Sequence, residues 1–191
     1  MSREKQRIRR HIDNLNSPDD DVSVNAGLYL RRYYGARAMD ELIEACNHEN
    51  PVVRYRAVWA LGAIQDPRAY DTILRLIDDP NDGVRYDATL ALGILGDMRA
   101  IEPLMRILLL DDDSKPALNA FANMGPKIVP VMKEHFEADD VEMRWVAVQV
   151  FGVLATDGDA ESISILTDCL KHPDSGVSKS ALYWLEEAGA L

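Results

Sequence analysis

An imidazole beside a carboxylate can hold a metal ion, and the one His-Glu step in the chain is His48-Glu49. The remaining histidines, His11, His135 and His172, are scattered and make no ligand cluster. Cys46 and Cys169 lie far apart and match no metal or redox spacing, so they read as small core residues on helices. No serine or cysteine can be set beside a histidine and a carboxylate by helical spacing, and no glycine-rich phosphate loop is present. The acidic runs Asp19–Asp21 and Asp111–Asp113 could attract calcium, but neither sits in a twelve-residue loop with its glycine. They fall before predicted helices, where negative charge favours the helix N-terminus. No catalytic residue, metal or cofactor is expected, and the chain reads as more binding protein than enzyme.

The residue types that remain are those of recognition: Tyr55, Arg56, Trp59, Tyr86, Asp87, Leu90, Trp145 and Gln149. Tyr, Trp and Arg dominate interface energetics, and large aromatics left in solvent call for a partner to cover them. Placing them requires the elements that carry them. Val53-Arg54-Tyr55-Arg56-Ala57-Val58-Trp59-Ala60-Leu61-Gly62 returns 31 residues later, without a gap, as Val84-Arg85-Tyr86-Asp87-Ala88-Thr89-Leu90-Ala91-Leu92-Gly93. Val22, Ala26, Leu30, Arg37 and Ala38 occupy the same register one step earlier. Arg144, Ala147, Phe151 and Gly152 begin a later copy, and Val177, Ala181 and Leu185 the last. The fourth copy is eroded to Ala117, Ala120, Phe121 and Gly125.

Each unit holds two helical patterns, such as Ala69, Ile73, Leu74 and Ile77 followed by Val84, Ala88, Ala91, Leu92 and Leu95. Asn50-Pro51 and Asp66-Pro67 supply a cap acceptor and then proline at the first helical position, and Ser17-Pro18 repeats the device. The spacing predicts helix pairs 2–16 with 18–33, 36–48 with 50–64, 67–79 with 82–95, 98–111 with 114–124, 126–138 with 140–155, and 159–172 with 174–188. One such pair cannot bury its apolar stripe, so the pairs must stack.

Val-Arg-x-x-Ala-x-x-Ala-Leu-Gly followed by Asp-x-Arg-Ala resembles the HEAT-like repeat of the phycobilisome (bilin) lyase type. The resemblance implies an all-α fold, a right-handed α-solenoid (superhelix) of about six two-helix HEAT-like repeats. A single domain over 1–191 is expected, with repeats at 1–34, 35–65, 66–96, 97–125, 126–156 and 157–191. It also implies that the Val-Arg helix of each pair lines the concave side. Counting from Arg54 or Arg85, positions three, six, seven and ten later are core: Ala57, Ala60, Leu61 and Ile64 in the second copy. Positions one, two and five later then face the groove. They are Val24, Asn25 and Leu28; Tyr55, Arg56 and Trp59; Tyr86, Asp87 and Leu90; Lys115, Pro116 and Asn119; Trp145, Val146 and Gln149; Lys179, Ser180 and Tyr183. The alternative is a superhelix tight enough to pack the aromatics between repeats.

The family includes a di-iron hydroxylase branch whose iron ligands follow the repeat arginine as His-Glu. Here those positions are Tyr55-Arg56, Tyr86-Asp87 and Trp145-Val146, so that activity is not expected. Bilin lyase subunits share the repeat type, and an aromatic groove with Arg56 could hold a tetrapyrrole, which makes a bilin lyase subunit or chromophore chaperone the alternative to a protein-binding scaffold.

Charge and the chain's ends complete the expectations. Residues 1–16 carry five Arg/Lys against two acids, leaving 16 against 30 for the rest, a net of −14 within a total of −11. Such a field opposes nucleic acid, and a protein or peptide partner is expected instead. Ile8, Ile12 and Leu15 share one side of a first helix that serves as a polar lid. Arg37, Arg68 and Arg99 are each followed three residues later by Asp40, Asp71 or Glu102, predicting ion pairs on the outer helices. Tyr183, Trp184 and Leu191 leave an apolar end on which an end-to-end homodimer could form, with Trp184 filling space beyond the last repeat. No run suits a membrane span or signal core, and a cytoplasmic location is expected.

Overall fold

A computed structural model describes residues 2–110 and 114–191; the run Asp111–Asp113 lies outside them. Twelve α-helices are found among the described residues: α1 Arg3–Asn14, α2 Asp20–Tyr29, α3 Met39–Ala45, α4 Pro51–Ile64, α5 Tyr70–Leu76, α6 Asp82–Leu95, α7 Ile101–Leu110, α8 Lys115–Met124, α9 Val129–Glu137, α10 Val141–Thr156, α11 Ala160–Cys169 and α12 Ser175–Glu187. Each odd helix packs on the even helix that follows it, giving six pairs. The fold is thus the all-α solenoid class, and no helix among the described residues is long and apolar enough to cross a membrane. Two compact units are distinguished, Met1–Ala100 with three pairs and Ile101–Leu191 with the other three.

The predicted caps explain where α4 and the turn before α5 begin. Asn50 Oδ1 accepts from the Val52 N–H at 2.9 Å, and Asp66 Oδ1 from the Arg68 N–H at 3.0 Å, each with proline at the next position. The first-copy cap differs from expectation. Asp19, not Ser17, caps α2, because its carboxylate accepts from both the Asp21 and Val22 N–H groups. Beyond α2 the chain winds through a π-helical turn, Leu30–Tyr34, and is stopped by Gly35 at φ +49°.

In Met1–Ala100, the closest packing is α4 on α6. A Cβ on Gly62 would lie 2.8 Å from Ala91 Cβ and 2.9 Å from its Cα, so only glycine allows this approach. The predicted core positions Ala57, Ala60, Leu61, Ala88, Ala91 and Leu92 are fully buried, while Ile64 is half-buried at the helix end. Ile8 and Leu15 are buried and Ile12 half-buried, so α1 seats its apolar side and keeps its charges outward.

The repeat arginine has a local function that the spacing alone does not reveal. Arg54 Nη1 donates to the His48 carbonyl, Arg85 Nη1 to the Asp79 carbonyl and Arg144 Nη2 to the Ala138 carbonyl, each six residues back. A charged donor thereby satisfies carbonyls at or just past the end of the preceding helix. Arg54 also grips the Asp79 carboxylate with two bonds, 2.8 Å from Nε and 2.7 Å from Nη2, joining the second pair to the third. Burial works to raise the Asp79 carboxyl, but the Arg54 bonds, the Asn81 N–H and the charges of Arg54 and Arg85 hold it below its usual range.

The outer arginines correct the predicted ion pairs. Arg68 closes on Asp66 and Arg99 on Asp97, each at 2.7 Å, and Arg37 pairs with Glu4. The physical reason is the turn: the aspartate that caps from two residues back already points at the arginine backbone, so its guanidinium folds onto the same carboxylate. Arg68 Nη2 also reaches the Ala36 carbonyl, and the Arg99 guanidinium lies 3.9 Å from the Tyr70 ring centre while Tyr70 donates to the Arg99 carbonyl.

In Ile101–Leu191, α10 is the central element, packed by α7, α8, α9, α11 and α12. Val146, Ala147, Val148, Val150, Phe151, Leu154 and Ala155 are all buried along it. Both cysteines are buried thiols, and burial pushes Cys46 up to about 12 and, with Asp168 adding to it, Cys169 up to about 11.

Candidate functional site

The second helices of the first three pairs line one cleft. Ser23, Val24 and Gly27 come from α2, Tyr55, Arg56 and Trp59 from α4, and Asp87 from α6, around a volume of about 400 Å³. The helix periodicity accounts for the set, since Tyr55, Arg56 and Trp59 span a little over one turn beside the buried stripe of Ala57, Ala60 and Leu61. Gly27 contributes by lacking a side chain. A Cβ there would make ordinary contact with the Trp59 ring at 3.6 Å, and anything larger would enter the cleft.

Within Met1–Ala100, the predicted recognition residues differ in availability. Tyr86 is exposed, with Val24 and Leu28 exposed on α2, while Tyr55, Trp59, Asp87 and Leu90 are half-buried. Arg56 is engaged inside the chain. Its Nη1 donates to the Leu15 carbonyl at 2.8 Å, at the end of α1, and its guanidinium lies 5.5 Å from the Tyr55 ring centre. Arg56 thus lines the cleft with its guanidinium already engaged, because a carbonyl past the end of α1 lies within its reach.

Asp87 is the electrostatic centre of the cleft. Its carboxyl is raised to about 6, and burial is the cause. Among the described residues no side chain hydrogen-bonds or pairs with it. A half-buried carboxylate without a counter-charge is uncommon, because desolvation penalises it.

In Ile101–Leu191 the predicted groove positions behave differently. Trp145 is exposed. Gln149 accepts from the Trp184 indole N–H at 3.1 Å, and Val146 is buried, as is Pro116 of the eroded copy. The burial of Val146 and Pro116 departs from the groove reading, and for Val146 the cause is the crowding of α10, which leaves little of its surface open. Trp184 likewise does not fill space beyond the last pair. Its ring lies over Gly152 on α10, whereas Leu182, Tyr183 and Leu191 are exposed.

A further aromatic cluster was not singled out by the repeat register. His11 stacks on Tyr29 with ring centres 4.5 Å apart, and Tyr29 meets Tyr33 at 4.2 Å, both tyrosines being largely exposed. Tyr29 and Tyr33 are four apart in sequence, a signal that was available. A second cleft of about 410 Å³, lined by Arg9, Asp13, Glu41, Glu44 and His48, carries charges of both signs. Among the described residues no group of three or more His, Cys, Asp or Glu is arranged to hold a metal ion.

Comparison with known proteins adds the following. The family model described as HEAT repeats matches residues 8–79 and 39–125. No curated protein matches the sequence. Among solved structures, the archaeal HEAT-like repeats protein from Thermococcus onnurineus aligns with a TM-score of 0.56 at 18% identity, covering 96% of this chain and 81% of that one. The complex of CpcE and CpcF of phycocyanin lyase from a Nostoc species aligns with a TM-score of 0.53 at 21% identity, covering 93% of this chain and 75% of that one. At these identities the likeness is one of fold.

Proposed function

Because the chain belongs to the HEAT-repeat family, whose model matches more than half of it, we propose that it is a non-catalytic adaptor binding a partner protein or peptide along the second helices of its first three pairs. The observation that carries this reading is the aromatic cleft formed by α2, α4 and α6, with Val24 and Leu28 exposed on α2 and Tyr86 exposed on α6. A contiguous surface of this kind gains free energy when a partner covers it, and Trp and Tyr supply most of that gain. Trp145 on α10 is a separate exposed aromatic that can serve the same purpose.

The bilin-handling alternative rests on the shared fold. A tetrapyrrole would bring propionates to a cleft whose unpaired charge is the Asp87 carboxylate, and like charges in a partly desolvated site repel. Arg56 also lines the cleft, but its guanidinium already donates to the Leu15 carbonyl. The test is affinity capture from the source cells with the wild type and with a variant carrying W59A and Y86A. A partner retained by the first and lost by a folded second supports the proposal. Unchanged capture, or a large loss of stability with no effect on any partner, overturns it. Adding a bilin and recording the visible spectrum tests the alternative.

A further inference from the structure

Asp87 places a carboxylate in the cleft, and among the described residues no side chain hydrogen-bonds or pairs with it. Trp59 stands in the same cleft, half-buried, with space beside it because Gly27 opposite has no side chain. The neighbouring cation, Arg56, is held over Tyr55 and on the Leu15 carbonyl. A carboxylate and an indole lining one small cavity are the two halves of a receptor for a cation: the first pairs with it and the second attracts it through the ring quadrupole.

We propose, resting on the partner-binding reading above, that this cleft takes the guanidinium of an arginine side chain presented by an extended segment of the partner protein. The guanidinium forks onto the Asp87 carboxylate and stacks on the Trp59 ring. Guanidinium suits an apolar cleft better than ammonium does, being planar and weakly hydrated, so less hydration is lost on entry. The volume of about 400 Å³ is at the small end of ligand sites and fits one long side chain. The chain's net charge of −11 steers a basic segment toward it and turns an acidic one away. A neutral apolar side chain would fill the space but bury the carboxylate further without a partner.

The test uses the full chain and an acetylated, amidated hexa-arginine peptide in roughly physiological salt. The indole N–H resonances of the three tryptophans are followed by NMR. The expected result is a saturable shift at Trp59 larger than at Trp145 or Trp184. D87N is expected to weaken binding at least about tenfold, the range of a charged hydrogen bond. D82N removes the same charge at an exposed position paired with Arg85, and is expected to change affinity less than about twofold. Since no described residue pairs with Asp87, D87N should fold at least as stably as the wild type; a lowered melting temperature would reveal an internal partner and overturn the proposal.

Equal losses for D87N and D82N, no selective shift at Trp59, or tighter binding of hexa-lysine would each overturn it as well. Equal binding of the neutral hexa-citrulline peptide at Trp59 would overturn the charge selection while leaving the peptide-binding reading intact. The W59A and Y86A capture experiment judges that reading separately.

Discussion

Gly152 lies under the Trp184 ring, and adding one methyl group there should be costly for a reason that a second substitution can isolate. A Cβ on Gly152 would stand 2.1, 2.2 and 2.4 Å from three atoms of the indole. Carbon atoms pack at about 3.5–4.0 Å, so the ring must withdraw by more than about 1 Å, and a fused aromatic cannot do this by rotating a terminal group. Overpacking of this sort costs about 1–3 kcal/mol. The withdrawal also strains the bond from the Trp184 N–H to Gln149 Oε1, worth about 0.5–1.5 kcal/mol. Against these, alanine is about 1 kcal/mol better than glycine inside a helix. The expected net is a loss of about 1–3 kcal/mol for Gly152→Ala, measured by urea unfolding followed by circular dichroism. In a Trp184→Ala background the clash is gone, and the same change should stabilise by up to about 1 kcal/mol. The double-mutant cycle then gives a coupling of about 2–4 kcal/mol. An equal cost for Gly152→Ala in both backgrounds would refute the reasoning, since the glycine would then not be needed to seat the ring.

Other expectations follow from single sites. Asp79→Ala strips the counter-charge from largely buried Arg54 and should cost about 3–5 kcal/mol by urea unfolding. Because the Asp79 carboxyl is held below its usual value, its stabilisation is present above the ordinary carboxylate range and is lost as pH falls through the lowered value. Asp87 has the opposite sign. Raised from 3.8 to about 6, it favours the folded chain when protonated and costs stability as pH rises through about 6. Asp87→Asn should therefore gain about 1–2 kcal/mol at pH 7, after allowance for its partial exposure, and the gain over wild type should vanish near pH 4; a pH-independent difference would refute this. Gly62→Ala should lose about 1–3 kcal/mol against the Ala91 backbone, while Gly27→Ala, with contacts no closer than 3.6 Å, should gain about 0.5–1 kcal/mol, both measured by urea unfolding.

The helix pairs were legible because their signals are local. The 31-residue register, the asparagine and aspartate caps and the alanine stripe act within a few residues, and the helices α4 and α6 fall where that spacing puts them. The close approach at Gly62 was also readable, since a small residue on an apolar face implies a near neighbour. The groove was legible only in part. Periodicity says which side of a helix a residue occupies, and it placed Tyr55, Trp59 and Asp87 on one cleft.

What periodicity does not carry is how many neighbours a helix has, or which distant group meets each polar side chain. The five helices around α10 turned Val146 inward, and the partners of Arg56 and Gln149 lie 41 and 35 residues away in the chain. The aspartates that draw Arg68 and Arg99 were close enough in sequence to find, but the turn geometry chose them over Asp71 and Glu102. The sequence by itself thus determined six helix pairs and the shared side of Tyr55, Trp59 and Asp87, because backbone periodicity and caps are short-range. Tertiary packing decided that Arg56 and Gln149 are bound within the chain while Asp87 has no partner among the described residues, because the pairing of a charge depends on what stacking brings within a few ångströms of it.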